Sequence, residues 1–386
     1  MVKTDTAKGF QDFTGEDALK RVKMKKLIQE QFELYGFEPA ETPIIEYEEF
    51  VKGDNSNDEA VRDVFKLKDR GERELALRYE FTFQLKRIAK NQKLPYKRSQ
   101  IGSVFRDEPI KKGRTREFIQ CDADIIGSSP KDEAELLKLG KNVFDKLGIP
   151  ATIYVNNRRL INEVLVSENI REQDREQVIR ELDKLDKLDQ KEVADNLKKL
   201  GAEKILKIFT GNEKSFEKYN FYKEIKELKI LCKAYGVKIE FRPFLARGFS
   251  YYNGTVFEIW SKELNVSLSG GGSYLIDNIQ SCGVSFGFEP MFLLSKIKGD
   301  SIKIQIISIG QDKVAINLAE KLRENGTSTN LLLDKSTGKA MDYANSKNIG
   351  KVIFVGKEEV KKEEFKVKDM ESGKEEFLSI DKILKI

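Results

Sequence analysis

The sequence predicts an α+β protein: an antiparallel sheet interrupted by a helical insertion, followed by a C-terminal α/β domain of βαβαβ order. Three observations predict it. Apolar strand patterns occur on both sides of residues 157–236, a stretch in which they vanish and helical periodicity takes over. From about Lys303 the pattern resets to strand and helix in alternation. The 386 residues, 39% hydrophobic and 34% charged, are enough for several domains, each with its own core.

The elements follow in order. Thr14 and Asp17 open an amphipathic helix with Met24, Leu27, Ile28, Phe32 and Tyr35 on one face, and Gly36 closes it. Pro39 and Pro43 bracket a short extended stretch, and VFKLKD and ELALRYEFT alternate like paired strands. A lysine-rich helix, QLKRIAKNQ, precedes a long hairpin over residues 104–127, and a further helix runs from about Pro130 to Leu147. Within the insertion, Val178, Leu182, Leu185 and Leu188 recur at helical spacing. Strands resume at VKIEFRPFLARGFSYYNGTVFEIWS and NVSLSGGGSYL, and CGVSFGFEPMFLLSKI reads as a strand running into a helix. The expected division is 1–156 and 237–299 for the two parts of the sheet domain, 157–236 for the insertion and 300–386 for the C-terminal domain.

Composition restricts the chemistry. With 69 Lys+Arg against 64 Asp+Glu the net charge is only +5, so any basic face is local. Cys121, Cys232 and Cys282 lie far apart without a CxxC pair, and the N-terminus lacks an apolar stretch, as expected of a cytoplasmic chain with reduced thiols and no membrane span. The chain contains no histidine. Serine and cysteine nucleophiles activated by histidine, imidazole acid–base catalysis and histidine metal sites are therefore excluded.

The hairpin VFRDEPIKKGRTREFIQCDADIIG is too long and too cationic to be a simple turn. Arg106 and Glu108, two apart, are expected on one side of the strand, and Phe118 begins the return. Arginine can grip a phosphate bidentately and an aromatic ring can stack on a base, while Lys111, Lys112, Arg114 and Arg116 are free to hold a longer phosphate backbone. The alternative is a solvated loop with Arg106 in an ordinary salt bridge. Arg247, lone among apolar residues in FLARGFSYYNG, calls for an anionic partner, either a ligand or a carboxylate such as Glu258. Glu80, Gln120 and Asp124 place polar groups on strands that look buried; they either form an internal ion-pair lattice or grip a cationic ligand. SGGGSYL permits close backbone approach, a weak signal by itself.

In this order, with LRYEFT, FRDE…GRTREFIQ, LDKLDK, ARGFSYYNGTVFE, GGGSY and GVSFGFE, the chain resembles the class II aminoacyl-tRNA synthetases, and among them the histidyl-tRNA synthetases of the archaeal and eukaryotic type. The resemblance covers nearly the whole chain. Pro43 is similar to the proline of motif 1, FRDE through REF to motif 2, and ARGFSYY to the peptide particular to histidyl enzymes. KGFQDF near the start and the C-terminal domain, which resembles an anticodon-binding domain, also match.

The resemblance implies that ATP lies against the hairpin, with Arg106 on the α-phosphate, Glu108 on the adenine amino group and Phe118 stacked on the ring. It implies a histidine site of Glu80, Thr82, Gln120, Asp124, Arg247, Tyr251 and Tyr252, with Arg247 also reaching the α-phosphate. Lys111, Lys112, Arg114 and Arg116 would meet tRNA(His). ATP with Mg²⁺, histidine and tRNA(His) are the implied cofactors and partners, with no protein metal site, in a homodimer.

Four positions depart from the pattern: Pro290 follows Glu289 where motif 3 has arginine, Ser273 and Leu275 replace the arginine and aspartate of GGRYD, and Ser250 replaces an aspartate. These keep a second class open, a non-aminoacylating paralogue that senses histidine, like the regulatory subunit of ATP phosphoribosyltransferase. A purely RNA-binding protein is a third, but gives no reason to keep Glu80, Gln120, Asp124 and Tyr252 together.

Overall fold

The computed structural model describes residues 2–53, 61, 63–110, 113–186, 188–247, 251–300, 302–333 and 335–386. Lys111, Lys112 and Ser250 lie outside the described residues. The chain divides into two compact units, residues 1–12 with 24–297 and residues 13–23 with 298–386.

The first unit is built on an eight-stranded sheet. Helix α1 (Gly15–Leu34) leads into the short strands β1 (Glu38–Pro39), β2 (Ile45–Tyr47), β3 (Lys66–Lys68) and β4 (Glu74–Leu77). The hairpin strands β5 (Tyr96–Phe105) and β6 (Glu117–Ile126) are followed by helix α2 (Pro130–Lys146) and β7 (Thr152–Asn157). After the insertion come β8 (Ile239–Phe241), β9 (Tyr252–Ser261), β10 (Val266–Ile276), β11 (Ile279–Gly287) and helix α3 (Phe288–Leu294). The order across the sheet is β1-β5-β6-β11-β10-β9-β7-β8, antiparallel from β5 to β7 with parallel strands at both edges. Strands β2, β4 and β3 form a small sheet of their own.

Period-2 alternation divides the two faces of the large sheet. Cys121, Ala123 and Ile125 of β6, Val284 and Phe286 of β11, and Phe257 and Ile259 of β9 point to the face covered by α1 and α2, where Met24, Ile28, Phe32, Leu136, Leu137 and Phe144 complete one apolar core. Burying each such side chain fully contributes about 1.5–3 kcal/mol. The intervening residues face the other way, and they are polar: Gln120, Asp122 and Asp124 on β6, Arg98 and Gln100 on β5, all buried. Polar groups buried on the second face need partners, either one another or a ligand.

The insertion is helical, with α4 (Arg158–Ser167), α5 (Glu172–Leu182), α6 (Gln190–Lys199), α7 (Glu203–Phe209) and α8 (Tyr222–Ala234) around a core that includes Val178, Leu182, Val193, Leu197 and Phe216. A 3₁₀ turn, Asp183–Asp186, ends α5. QLKRIAKNQ is a single helical turn, Leu85–Ile88, rather than the longer helix its periodicity predicts, because the apolar residues Leu85 and Ala89 anchor it and the following lysine-rich residues have nothing to pack on.

In the second unit, β12 (Ile304–Ser308), α9 (Asp312–Glu324), β13 (Thr329–Leu332), α10 (Thr337–Ser346) and β14 (Lys351–Val355) form the expected βαβαβ core. Strands β15 (Phe365–Asp369) and β16 (Glu375–Leu378) extend it antiparallel, giving the order β13-β12-β14-β15-β16.

Candidate active site

The polar face of the sheet gathers most of the residues singled out in the sequence. Arg98, the largest fully buried side chain, donates to the Phe81 carbonyl at 3.0 Å and pairs with Asp124 at 3.4 Å. Asp124 also accepts from the Tyr274 hydroxyl, and Gly283 leaves room for that contact, since a Cβ there would lie 2.1 Å from Asp124 Oδ1. Gln120 donates to Asp122 at 2.9 Å. Part of the expected ion-pair lattice is therefore present, through two residues the sequence reading missed, Arg98 and Asp122. The rule that singled out Arg247, a lone basic residue among apolar ones, does not reach Arg98, which stands beside Lys97 in the polar stretch YKRSQIG; alternation from Gln120 and Asp124 points to Asp122.

Arg106 and Glu108 lie just beyond the end of β5 rather than on it, because Asp107 N–H donates to the Asp63 carbonyl at 2.7 Å and leaves the ladder. They remain neighbours, with the ion pair stretched to 3.8 Å. The Arg106 guanidinium donates to the Tyr79 carbonyl at 3.1 Å, approaches Gln120 at 3.5 Å and sits 5.1 Å from the centre of the Phe118 ring. Arg114 is exposed and 3.8 Å from Glu108; Arg116 pairs with Asp107 at 2.8 Å. Carbonyl Gly9 of the KGFQDF segment accepts from Arg116 N–H at 3.0 Å, so the N-terminus ties down the base of the hairpin.

Arg247 is on the loop before β9, not in a strand, with φ +66°. Its guanidinium pairs with Glu258 at 2.9 Å over Gly270, where a Cβ would lie 1.9 Å from Nη1. The three glycines of SGGGSYL thus admit groups of the protein: Arg247 over Gly270, the Phe257 ring and Gly283 carbonyl against Gly271, and the Tyr252 ring against Gly272. The rings of Tyr251 and Tyr252 lie 4.7 Å apart, tilted by 46°, and both meet Tyr274 edge-on.

Burial pushes the Glu80 carboxyl up to about 7, against the pull of Arg106, with Asp122 and Asp124 adding to the rise and a bond to Thr82 opposing it. Burial raises Asp122 and Asp124 as well, with Arg98 opposing. In the unfolded chain the Glu80 carboxyl titrates near 4. Between those values the folded protein holds protons that the unfolded chain has released, so the stabilisation is complete below about 4 and is lost as pH rises through about 7. The urea midpoint should therefore fall from pH 5 to pH 8, and less steeply in Glu80→Gln; a midpoint rising over that range, or an unchanged slope in the variant, contradicts the assignment.

Two departures lie off this face. Ser273 pairs across to Cys282 on the core side and donates its hydroxyl to Glu133 of α2, and Leu275 is exposed. The third is nearer: Glu289 is spent on accepting the Ile119 backbone N–H at 3.0 Å, and Pro290 occupies the next position of α3. Buried Nε and Nη1 of Arg98, Oε1 of Gln100 and Nε of Arg247 have no hydrogen-bond partner among the described residues, which suits a polar ligand. Among the described residues no cluster of three Cys, Asp or Glu side chains could hold a metal.

Residues 9–291 match the protein family described as histidyl-tRNA synthetase, and residues 303–386 match the anticodon binding domain. The chain belongs to the histidyl-tRNA synthetase family. A relative named histidine–tRNA ligase 2 from Shouchella clausii is 33% identical, covering 96% of both chains. The crystal structure of a histidyl-tRNA synthetase from Nostoc sp. superposes with a TM-score of 0.87 at 22% identity, over 100% of this chain and 99% of that one. A Bacillus halodurans structure described as an ATP phosphoribosyltransferase regulatory subunit/histidyl-tRNA synthetase gives 0.79 at 21% identity, over 92% of this chain and 100% of that one. The class II synthetase fold expected from the sequence is thus the fold observed, with its C-terminal anticodon-binding domain. Among the described residues no helix is long and apolar enough to cross a membrane.

Proposed function

We propose that the chain is a histidine–tRNA ligase that activates histidine with ATP and transfers it to the 3′ end of tRNA(His). The observation that carries this reading is the setting of the two arginines: Arg106 holds the Tyr79 carbonyl and approaches Gln120, Arg247 pairs with Glu258 over Gly270, and Glu80, Gln120 and Asp124 are buried.

Glu80, Thr82 and Gln120 would hold the α-ammonium group of histidine, and Asp124 and Tyr252 its imidazole. Phe118 and Glu108 would take adenine. The histidine carboxylate oxygen would attack the α-phosphorus as the bond to pyrophosphate breaks, with Arg106 and Arg247 stabilising charge on the non-bridging oxygens; no proton transfer by a side chain is needed. Mg²⁺ would arrive on the nucleotide phosphates. A ribose hydroxyl of the terminal adenosine would then displace AMP. In this division residues 1–156 and 237–299 carry out the chemistry, while the hairpin basic residues Lys111, Lys112, Arg114 and Arg116, the insertion 157–236 and residues 300–386 meet tRNA.

We also propose a cytoplasmic homodimer joined through the Pro43 segment, where Ile44, Ile45 and Tyr47 are exposed, testable by sedimentation. The archaeal and eukaryotic type is proposed on the order of motifs along the chain, although Shouchella and Nostoc are bacterial; charging of tRNA from an archaeon in preference to a bacterium tests it. A second reading, a histidine sensor that does not aminoacylate, is favoured by Pro290 alone. Exchange of labelled pyrophosphate into ATP separates the two. The ligase should support exchange with histidine and no other amino acid. Histidine binding by calorimetry without any exchange would establish the sensor instead.

A further inference from the structure

Arg247 is held in a left-handed backbone conformation, which a long side chain adopts only when its surroundings impose it. What imposes it comes from the insertion. Asp183 Oδ1 accepts both the Ala246 N–H at 3.0 Å and the Arg247 N–H at 3.1 Å. Three residues on, at the other end of the same 3₁₀ turn, Asp186 pairs with Arg242 at 2.8 Å. The Arg242 guanidinium lies 3.3 Å over the Tyr154 ring and 5.0 Å from the Trp260 ring. Trp260 Nε1 donates to one oxygen of Glu258 at 2.7 Å, and the other oxygen of Glu258 holds Arg247 at 2.9 Å. The contacts close into a ring that fixes Arg247 at both its backbone and its guanidinium.

We propose that Asp183 is a positioning residue for Arg247, and that the Asp183–Asp186 turn is how the helical insertion sets the geometry of the active site. This rests on the ligase reading for its consequence in the reaction, but not for the contact itself. One carboxylate oxygen gathers two successive N–H groups and turns the chain so that the guanidinium falls over Gly270. Without that anchor the loop relaxes toward ordinary φ and the guanidinium leaves its place. A displacement of about 1 Å at such a group costs about a hundredfold in rate.

The test uses the full chain with Asp183→Ala, Asp183→Asn, Arg247→Ala and the double variant Asp183→Ala/Arg247→Ala. The proposal expects faster amide hydrogen exchange at Ala246 and Arg247 in Asp183→Ala, and a kcat for histidine-dependent pyrophosphate exchange lower by about ten- to a hundredfold. Asp183→Asn, whose amide oxygen still accepts both bonds, should recover most of the rate, and Asp183→Ala should add nothing in the Arg247→Ala background. An unchanged rate in Asp183→Ala, or a further loss in the double variant equal to that in the single one, overturns the proposal. If the native chain shows no exchange, the ligase reading fails, and the amides still decide: equal protection in native and Asp183→Ala overturns the positioning role. Should Asp183→Ala not fold, Asp183→Asn carries the same comparison, with intact protection and intact rate expected.

Discussion

Arg106→Ala should lower kcat/KM for histidine-dependent pyrophosphate exchange by about a thousandfold, the loss typical of removing one preorganised group from a developing charge. The side chain is fixed before any ligand arrives, by the Tyr79 carbonyl at 3.1 Å, by Gln120 at 3.5 Å and by the Phe118 ring. Little of its stabilising effect is therefore consumed in ordering it at the moment of reaction. Arg106→Lys should not restore the rate, because a single ammonium group cannot reproduce a planar fork that holds a backbone carbonyl with one nitrogen and offers others to phosphate. The measurement is the initial rate of exchange against ATP and histidine concentration. Activity within fivefold of native in Arg106→Ala would remove the phosphate role and return Arg106 to an ordinary surface ion pair.

Arg98→Leu should destabilise the protein by about 3–5 kcal/mol, the range for removing one partner of a buried ion pair. Arg98 is wholly buried, and it is the cation that opposes the rise of both Asp122 and Asp124. Without it, Asp122 and Asp124 lose the cation that opposes their rise, and they stay folded only by taking up protons. The loss should accordingly be smaller at pH 5 than at pH 8. Asp124→Asn introduced together with Arg98→Leu should recover part of it, a coupling that urea titration of the two single variants and the double variant measures directly. A loss below about 1 kcal/mol in Arg98→Leu would put the pair among solvent-exposed ones and contradict its burial.

Much of this was legible in the sequence because it rests on period and punctuation. Apolar strand patterns marked both arms of the hairpin, and the strandless stretch from 157 marked the insertion. Legibility ended where a residue's position depends on a distant segment. Arg247 reads as part of a strand because its neighbours are apolar; its loop conformation is set by Asp183, 64 positions earlier. Glu289 reads only as the residue before the missing motif 3 arginine, yet it holds the backbone of Ile119, 170 positions away. SGGGSYL reads as room for a ligand, and the room is taken by Arg247, Phe257 and Tyr252. Local pattern carries no information about which distant group will fill a space.

The place of β6 in the sheet has a consequence for how the molecule is made. On one side it pairs with β5, its hairpin partner, and on the other with β11. Asp124 of β6 and Tyr274 of β10, joined by a hydrogen bond in the finished site, are 150 positions apart, with the whole insertion between them. At about 5–20 residues per second, a ribosome needs roughly 8–30 s to cover that gap. During that time the insertion can form its own local helices, while the bare edge of β6 waits with Asp122 and Asp124 along it. Charge on an unpaired edge discourages other strands from adding to it. Asp124, proposed to hold the imidazole of histidine, would then protect the nascent chain before there is any substrate to bind.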